Sequence, residues 1–234
     1  MKKPAFTLVL CLLLALLTML RSYAAAADAL PHITPAGTDT LDVPCAAAIL
    51  IDEDSGTVLY EKNADQQRPI ASITKVMTLL LTFEALSAGR ISLSDTVPVS
   101  EHAYHMGGSQ IWLEPGEQLT LDEMLKAIAV GSANDCAVAV AEHLAGTEAA
   151  FVERMNTRAR ELGCTNTTFI NANGLDGEGQ KTLTSARDLA LISCELLRHP
   201  KILEYTGIWM DTVRGGKFGL ANTNKMLKSY QGLT

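Results

Sequence analysis

Apolar and polar positions change period several times along the chain, and each change marks an element. Residues 46–51 form a short unbroken apolar run that reads as a buried strand. Asp54-Ser55-Gly56 supplies a turn, and residues 57–61 make the return strand of a hairpin. From residue 72 to 88 the apolar spacing becomes helical, and Gly89 stops it. Short strands are expected around 97–99 and 111–113, with a turn at Pro115-Gly116. Thr120-Leu121-Asp122-Glu123 has the pattern of a capping box and opens a helix to about Val130. Helices then follow over 132–144, closed by Gly146, over 148–162, closed by Gly163, and over 184–197, ended by Pro200. Residues 208–213, the turn Arg214-Gly215-Gly216 and residues 218–222 read as a second hairpin. Strands therefore flank a helical middle, without the alternation of strand and helix that builds a parallel sheet. The expected class is α+β: an antiparallel sheet flanked by helices, with a helical subdomain.

The first residues stand outside that pattern. Lys2 and Lys3 precede an apolar stretch over 5–20, and the small residues Ala24, Ala25, Ala26 and Ala27 follow Arg21. That order describes a secretory leader over 1–26, whose apolar run falls short of the roughly 20 residues a bilayer span needs. Residues 27–45 are a linker rich in Pro, Ala and Thr, and 46–234 form the folded domain. Export across the cytoplasmic membrane, to the periplasm or cell wall, is the expected destination. Val9 and Leu10 before Cys11 do not suit lipid attachment.

Composition narrows the function. With 19 Lys+Arg against 26 Asp+Glu the formal net charge is −7, and no basic cluster is present to meet a phosphate backbone, so a nucleic-acid partner is excluded. Hydrophobic residues at 47% are ample for a packed core, and 234 residues suit one large domain or two small ones. Beyond the leader, Cys45, Cys136, Cys164 and Cys194 show no metal-ligand spacing. Cys136 and Cys194 lie in apolar helical stretches and read as buried thiols, with disulfide pairing left open. His102 and His105 sit in a loop-like stretch with no third ligand in view, so neither metal nor cofactor is expected. Trp112, Trp209 and Phe169 read as core or groove-wall aromatics.

Ser72-Ile73-Thr74-Lys75 carries the chemistry. Residues three apart on a helix share a face, and side chains tilt toward the helix N-terminus, which folds the Lys75 stem back over Ser72. A neutral amine there can take the hydroxyl proton, provided burial or a nearby positive charge lowers a pKa that starts near 10.4. Ser72 also stands where the helix begins, so its backbone N–H points outward as half of an oxyanion hole. By itself the pair is equally an N-cap and a surface lysine. Ser132-Ala133-Asn134 opens another helix after Gly131. Its hydroxyl can relay a proton, and its carboxamide can grip a peptide group through one donor and one acceptor.

Pro69-Ile70-Ala71-Ser72-Ile73-Thr74-Lys75, followed by Gly131-Ser132-Ala133-Asn134-Asp135-Cys136, resembles the low-molecular-mass penicillin-binding proteins, specifically the D-alanyl-D-alanine carboxypeptidases. Gly107-Gly108-Ser109, Leu113-Glu114-Pro115-Gly116, Asn173-Gly174-Leu175-Asp176 and Ser185-Ala186-Arg187-Asp188 extend the similarity, which runs from about Ala46 to the last residue. The resemblance implies an antiparallel sheet with a helical cluster and a site between them. It assigns Ser72 as acylated nucleophile, Lys75 as general base, Ser132 as proton shuttle and Asn134 as the substrate-binding amide. The implied partners are peptidoglycan stem peptides, with β-lactams as covalent inhibitors of the same serine. A serine β-lactamase shares both motifs, but no glutamate after Asn134 stands four residues before an asparagine, the E-x-x-x-N pattern of the class A type. A non-catalytic wall-binding module is the other alternative.

The family's third motif, K-T-G or K-S-G on a sheet strand, is not found, and Lys228-Ser229-Tyr230 is a superficial candidate lacking the glycine. In relatives a segment like Asn222-Thr223-Asn224-Lys225 precedes that strand by a short stretch. The expectation is therefore that 46–234 is an incomplete, truncated catalytic domain, and that membrane association depends on a C-terminal segment these residues do not contain. A fluorescent penicillin should then acylate Ser72 of the 234-residue polypeptide much more slowly than in a chain extended through the third motif. Equal rates would contradict this.

Overall fold

A computed structural model describes residues 43–177 and 179–230. The expected leader and most of the linker lie outside the described residues. The first apolar run forms β1 (Ala48–Ile51), paired antiparallel with β2 (Val58–Lys62) so that Leu50 faces Tyr60. The strand is only half-buried and Leu50 is exposed, which corrects the expectation of a buried strand. Among the described residues β1 pairs with β2 alone, and of its four apolar residues Leu50 is exposed while the other three are partly buried. Every other strand pair is antiparallel too: β3 (Arg68–Pro69) with β6 (Leu183–Thr184), β4 (Thr96–Pro98) with β5 (Gln118–Thr120), and β7 (Met210–Val213) with β8 (Phe218–Ala221). These are four two-stranded ribbons around a helical centre, within the expected α+β class.

The helices are α1 (Lys75–Ser87), α2 (Glu101–Tyr104), α3 (Leu121–Gly131), α4 (Asn134–Ala145), α5 (Glu148–Glu161), α6 (Ala186–Leu197), α7 (Lys201–Thr206) and α8 (Met226–Ser229). Helix α4 is the centre of the core. Its first eight residues are all buried, and α1, α3 and α5 pack around it. A helix buried on every side must be apolar all round, and Cys136-Ala137-Val138-Ala139-Val140-Ala141 meets that demand with side chains small enough for close approach. Two polar residues at its N-terminus, Asn134 and Asp135, are buried with them.

Several expectations need correction. Residues 111–113 are not a strand: Trp112 has a left-handed backbone (φ 54°), and the N–H groups of Ile111 and Leu113 go to a carboxylate and not to a neighbouring strand. The partner of β4 is the later segment β5. Ser132 does not open α4. It closes α3 in a left-handed conformation (φ 55°), and α4 begins at Asn134. Pro200 ends α6 and also starts α7, since proline suits a helix N-terminus. His102 lies in α2, with its Nε2 2.6 Å from the Glu148 carboxylate, and not in a loop. Trp112, expected in the core or a groove wall, is not in the core: it is 64% exposed. All four described cysteines are free thiols, with Cys194 half-buried and Cys136 fully buried. Among the described residues no helix is long and apolar enough to cross a membrane, and no group of three His, Cys, Asp or Glu could hold a metal ion.

The capping box at the mouth of α3 is formed: Thr120 Oγ1 accepts from Glu123 N at 3.2 Å, and Glu123 Oε2 accepts from Thr120 N at 3.2 Å. Thr120→Ala should remove about 1 kcal/mol and lower the melting temperature by about 2–4 °C. An unchanged melt would show that the cap contributes nothing.

Candidate active site

Lys75 is 4% exposed at the first position of α1, and every donor of its ammonium has a partner. Nζ lies 3.2 Å from Ser72 Oγ, 2.6 Å from Asn134 Oδ1 and 2.8 Å from the Asn173 carbonyl oxygen. Ser72 occupies a 3₁₀ turn (Ala71–Thr74) that leads into α1, so the two side chains meet one turn apart, as the S-x-x-K spacing predicts. Burial pushes the lysine pKa down from 10.5 to about 8, against the opposing pull of the Asp135 carboxylate. Because the folded value lies below the unfolded one, the unfolded chain holds more protons between pH 8 and 10.5. Stability from this group therefore rises with pH across that window, and the full penalty is present below it.

Asn134 is placed at both ends of its residue. Its backbone N–H donates to the Ser109 carbonyl at 2.7 Å, and its side-chain Nδ2 donates to the Gly107 carbonyl at 2.7 Å. A carbonyl can only accept, so Oδ1 must be the atom turned toward Lys75. The strap 107–113 thus caps α4 from outside, which explains how the helix starts without a side-chain cap of its own. There is no room for a side chain on this strap at Gly108: a Cβ would fall 2.8 Å from Asn134 Nδ2.

Sequence reasoning assigned no role to Asn173 or Asp135. Asn173 contributes a backbone carbonyl, and its neighbours lock the loop: Thr78 Oγ1 donates to Ala172 O at 2.7 Å, and Gly174 N donates to Asn171 Oδ1 at 2.6 Å. Gly174 has φ +87°, and a Cβ there would lie 1.8 Å from the Ala71 carbonyl oxygen. The string N-G-L was the available signal, a glycine demanded by left-handed backbone and close approach. Asp135 is wholly buried and accepts from the N–H groups of Ile111, Leu113 and Cys136. The structure brings Ser72, Lys75 and Asn134 together. Ser132 stands two residues before Asn134 on the α3–α4 junction, and its hydroxyl makes no hydrogen bond to Ser72 or Lys75 among the described residues.

Fold and site together define a class of mixed helix and antiparallel-strand proteins with a buried lysine one turn after a serine at a helix mouth. The family model for D-alanyl-D-alanine carboxypeptidases, peptidase S11, matches residues 33–233, and the chain belongs to that family. It is 48% identical over 199 residues to D-alanyl-D-alanine carboxypeptidase DacF of Bacillus subtilis (strain 168), covering 84% of this chain and 51% of the relative. It is 38% identical over 192 residues to DacC of Escherichia coli (strain K12), covering 77% and 48%. Penicillin-binding protein D2 from Listeria monocytogenes, solved in its cefotaxime-bound form, matches with a TM-score of 0.74 at 32% identity, over 83% of this chain and 78% of that one. The chain spans about half the length of these two curated relatives.

Gly174→Ala should be severely destabilising, by about 3 kcal/mol or more, because the added methyl meets backbone at a positive φ. A melting temperature within a degree of the parent would refute the close approach.

Proposed function

We propose that this protein is a serine-type D-alanyl-D-alanine carboxypeptidase, acting outside the cytoplasmic membrane on peptidoglycan stem peptides. The observation that carries the reading is the environment of the Lys75 nitrogen. A neutral amine has two hydrogens and one lone pair. The Asn134 Oδ1 and the Asn173 carbonyl can only accept, so they take both hydrogens. The lone pair is then left facing the Ser72 hydroxyl, which alone of the three partners has a proton to give.

In the proposed reaction, Ser72 Oγ attacks the carbonyl carbon between the last two D-alanines while its proton passes to Lys75 Nζ. The negative charge that forms on the carbonyl oxygen is met by the Ser72 N–H at the helix mouth. The C–N bond then breaks, and the departing D-alanine nitrogen takes the proton, relayed through the Ser132 hydroxyl. Asn134 holds Lys75 through Oδ1 and the Gly107 carbonyl through one Nδ2 hydrogen in the free site, which leaves its second Nδ2 hydrogen to meet the peptide. Water next attacks the ester carbonyl carbon while its proton goes to Lys75; the C–Oγ bond then breaks, Ser72 Oγ takes that proton back from Lys75, and the shortened peptide leaves with a free carboxyl group. The family's third motif would supply the second oxyanion donor and a charge for the terminal carboxylate. A β-lactam enters by the same acylation step. The N-terminal pattern over 1–26 supports export by a cleaved leader.

Two tests follow. Ser72→Ala should abolish covalent labelling by a fluorescent penicillin, whereas labelling that persists would place the nucleophile elsewhere. Since only the neutral amine can act, about a tenth of the protein is competent at pH 7 and half at pH 8, given a lysine value of about 8. The acylation rate should therefore rise about fivefold between those two pH values. A flat profile there would remove Lys75 as the base.

A further inference from the structure

We infer that Arg214, a residue of the β7–β8 turn far from Ser72 in sequence, is a positioning residue for the proposed reaction, acting through the strap 107–113. The inference rests on the functional reading above. Arg214 itself has a left-handed backbone (φ 56°), held by a hydrogen bond from its N–H to Glu123 Oε1 at 2.9 Å. Its guanidinium is fixed by Glu117, with Nε and Nη2 each 2.6 Å from a carboxylate oxygen. The remaining donors reach the strap: Nη1 donates to the Ile111 carbonyl and Nη2 to the Trp112 carbonyl, both at 2.8 Å.

The opposite side of the same three residues is held by the buried Asp135 carboxylate, which takes the Ile111 and Leu113 N–H groups at 3.1 Å. A guanidinium thus grips the carbonyls and a carboxylate grips the N–H groups of one short segment. Such charge-assisted bonds are roughly twice as strong as neutral ones. The clamp has something to hold. Trp112 between the two grips has φ +54°, a conformation that is strained for a bulky residue and persists only where its surroundings impose it. Its ring is exposed and leans on Phe218 of β8, 5.8 Å between centroids, so no buried side chain accounts for the conformation.

What the strap delivers is Asn134. Ser109 and Gly107, two and four residues before Ile111, are its carbonyl partners, and Asn134 Oδ1 in turn orients Lys75. Without Arg214, Trp112 can relax to negative φ. The strap then shifts its carbonyls, and the amide that turns the lysine lone pair toward Ser72 is no longer held.

The test is the rate of Ser72 labelling by a fluorescent penicillin, measured well below the melting temperature in four chains: parent, Arg214→Ala, Trp112→Gly and the double variant. Glycine adopts φ +54° without strain, so Asp135 alone can keep the strap on its path in the Trp112→Gly background. The expected result is a loss of at least tenfold for Arg214→Ala, a near-parental rate for Trp112→Gly, and recovery of most of the loss in the double variant. Arg214→Lys, which keeps the positive charge and lacks the planar fork, should fall between parent and alanine and serves if the alanine variant does not fold. A parental rate in Arg214→Ala, or the same fold-loss in both backgrounds, overturns the positioning role, since a purely structural contribution would not be rescued by a glycine on the strap. All four chains are extended through the family's third motif, and no label on that parent would overturn the functional reading itself, and this inference with it.

Discussion

One nitrogen organises this molecule. The Lys75 amine is surrounded by two groups that can only accept and one hydroxyl that can also donate. That arrangement decides where the lone pair points once the proton is gone. It needs no metal ligand and no distant charge, only burial deep enough to bring the amine within reach of neutrality. The surrounding structure can be understood as the means of keeping those three partners in place around a group that would be more stable in water.

Each partner comes from a different part of the chain. Ser72 comes from the 3₁₀ turn before α1, Asn134 from the first turn of the buried helix α4, and the Asn173 carbonyl from the loop after α5. None of these is held by one bond. Gly174 sits against the Ala71 carbonyl, which couples the Asn173 loop to the serine turn. Asn134 is held at backbone and side chain by one strap. Asp135, next to it, ties that strap down with a buried carboxylate that also raises the lysine pKa against the effect of burial. The same residue therefore fixes geometry and moderates the amine. Backbone with positive φ is concentrated here, at Ala71, Trp112, Ser132 and Gly174, as expected where a site over-determines its conformation.

Much of this was legible in local sequence. The capping box at Thr120, the glycine stops after α1, α4 and α5, and the S-x-x-K spacing are short-range signals whose geometry follows from the helix itself. The misread parts are those where tertiary bonds replace a local partner. Ile111-Trp112-Leu113 is an apolar run that reads as a short strand, yet the N–H groups of Ile111 and Leu113 are taken by Asp135 from 24 and 22 residues away. Ser132 is expected to open a helix, but α4 starts at Asn134, whose N–H goes to the Ser109 carbonyl, and needs no side-chain cap of its own. Asn173 contributes a main-chain carbonyl, so its residue type carried no hint of its role. Asp135 could be read only as a favourable charge at a helix mouth. Composition cannot show that a carboxylate will be buried.

The central claim concerns the protonation of one buried amine, and it is open to direct observation. Nuclear magnetic resonance of the protein labelled with ¹³C at lysine Cε would follow Lys75 through its own titration, assigned by a Lys75→Arg variant. A midpoint near 8 is the predicted result. A midpoint at or above 10, that of a lysine in water, would contradict the account.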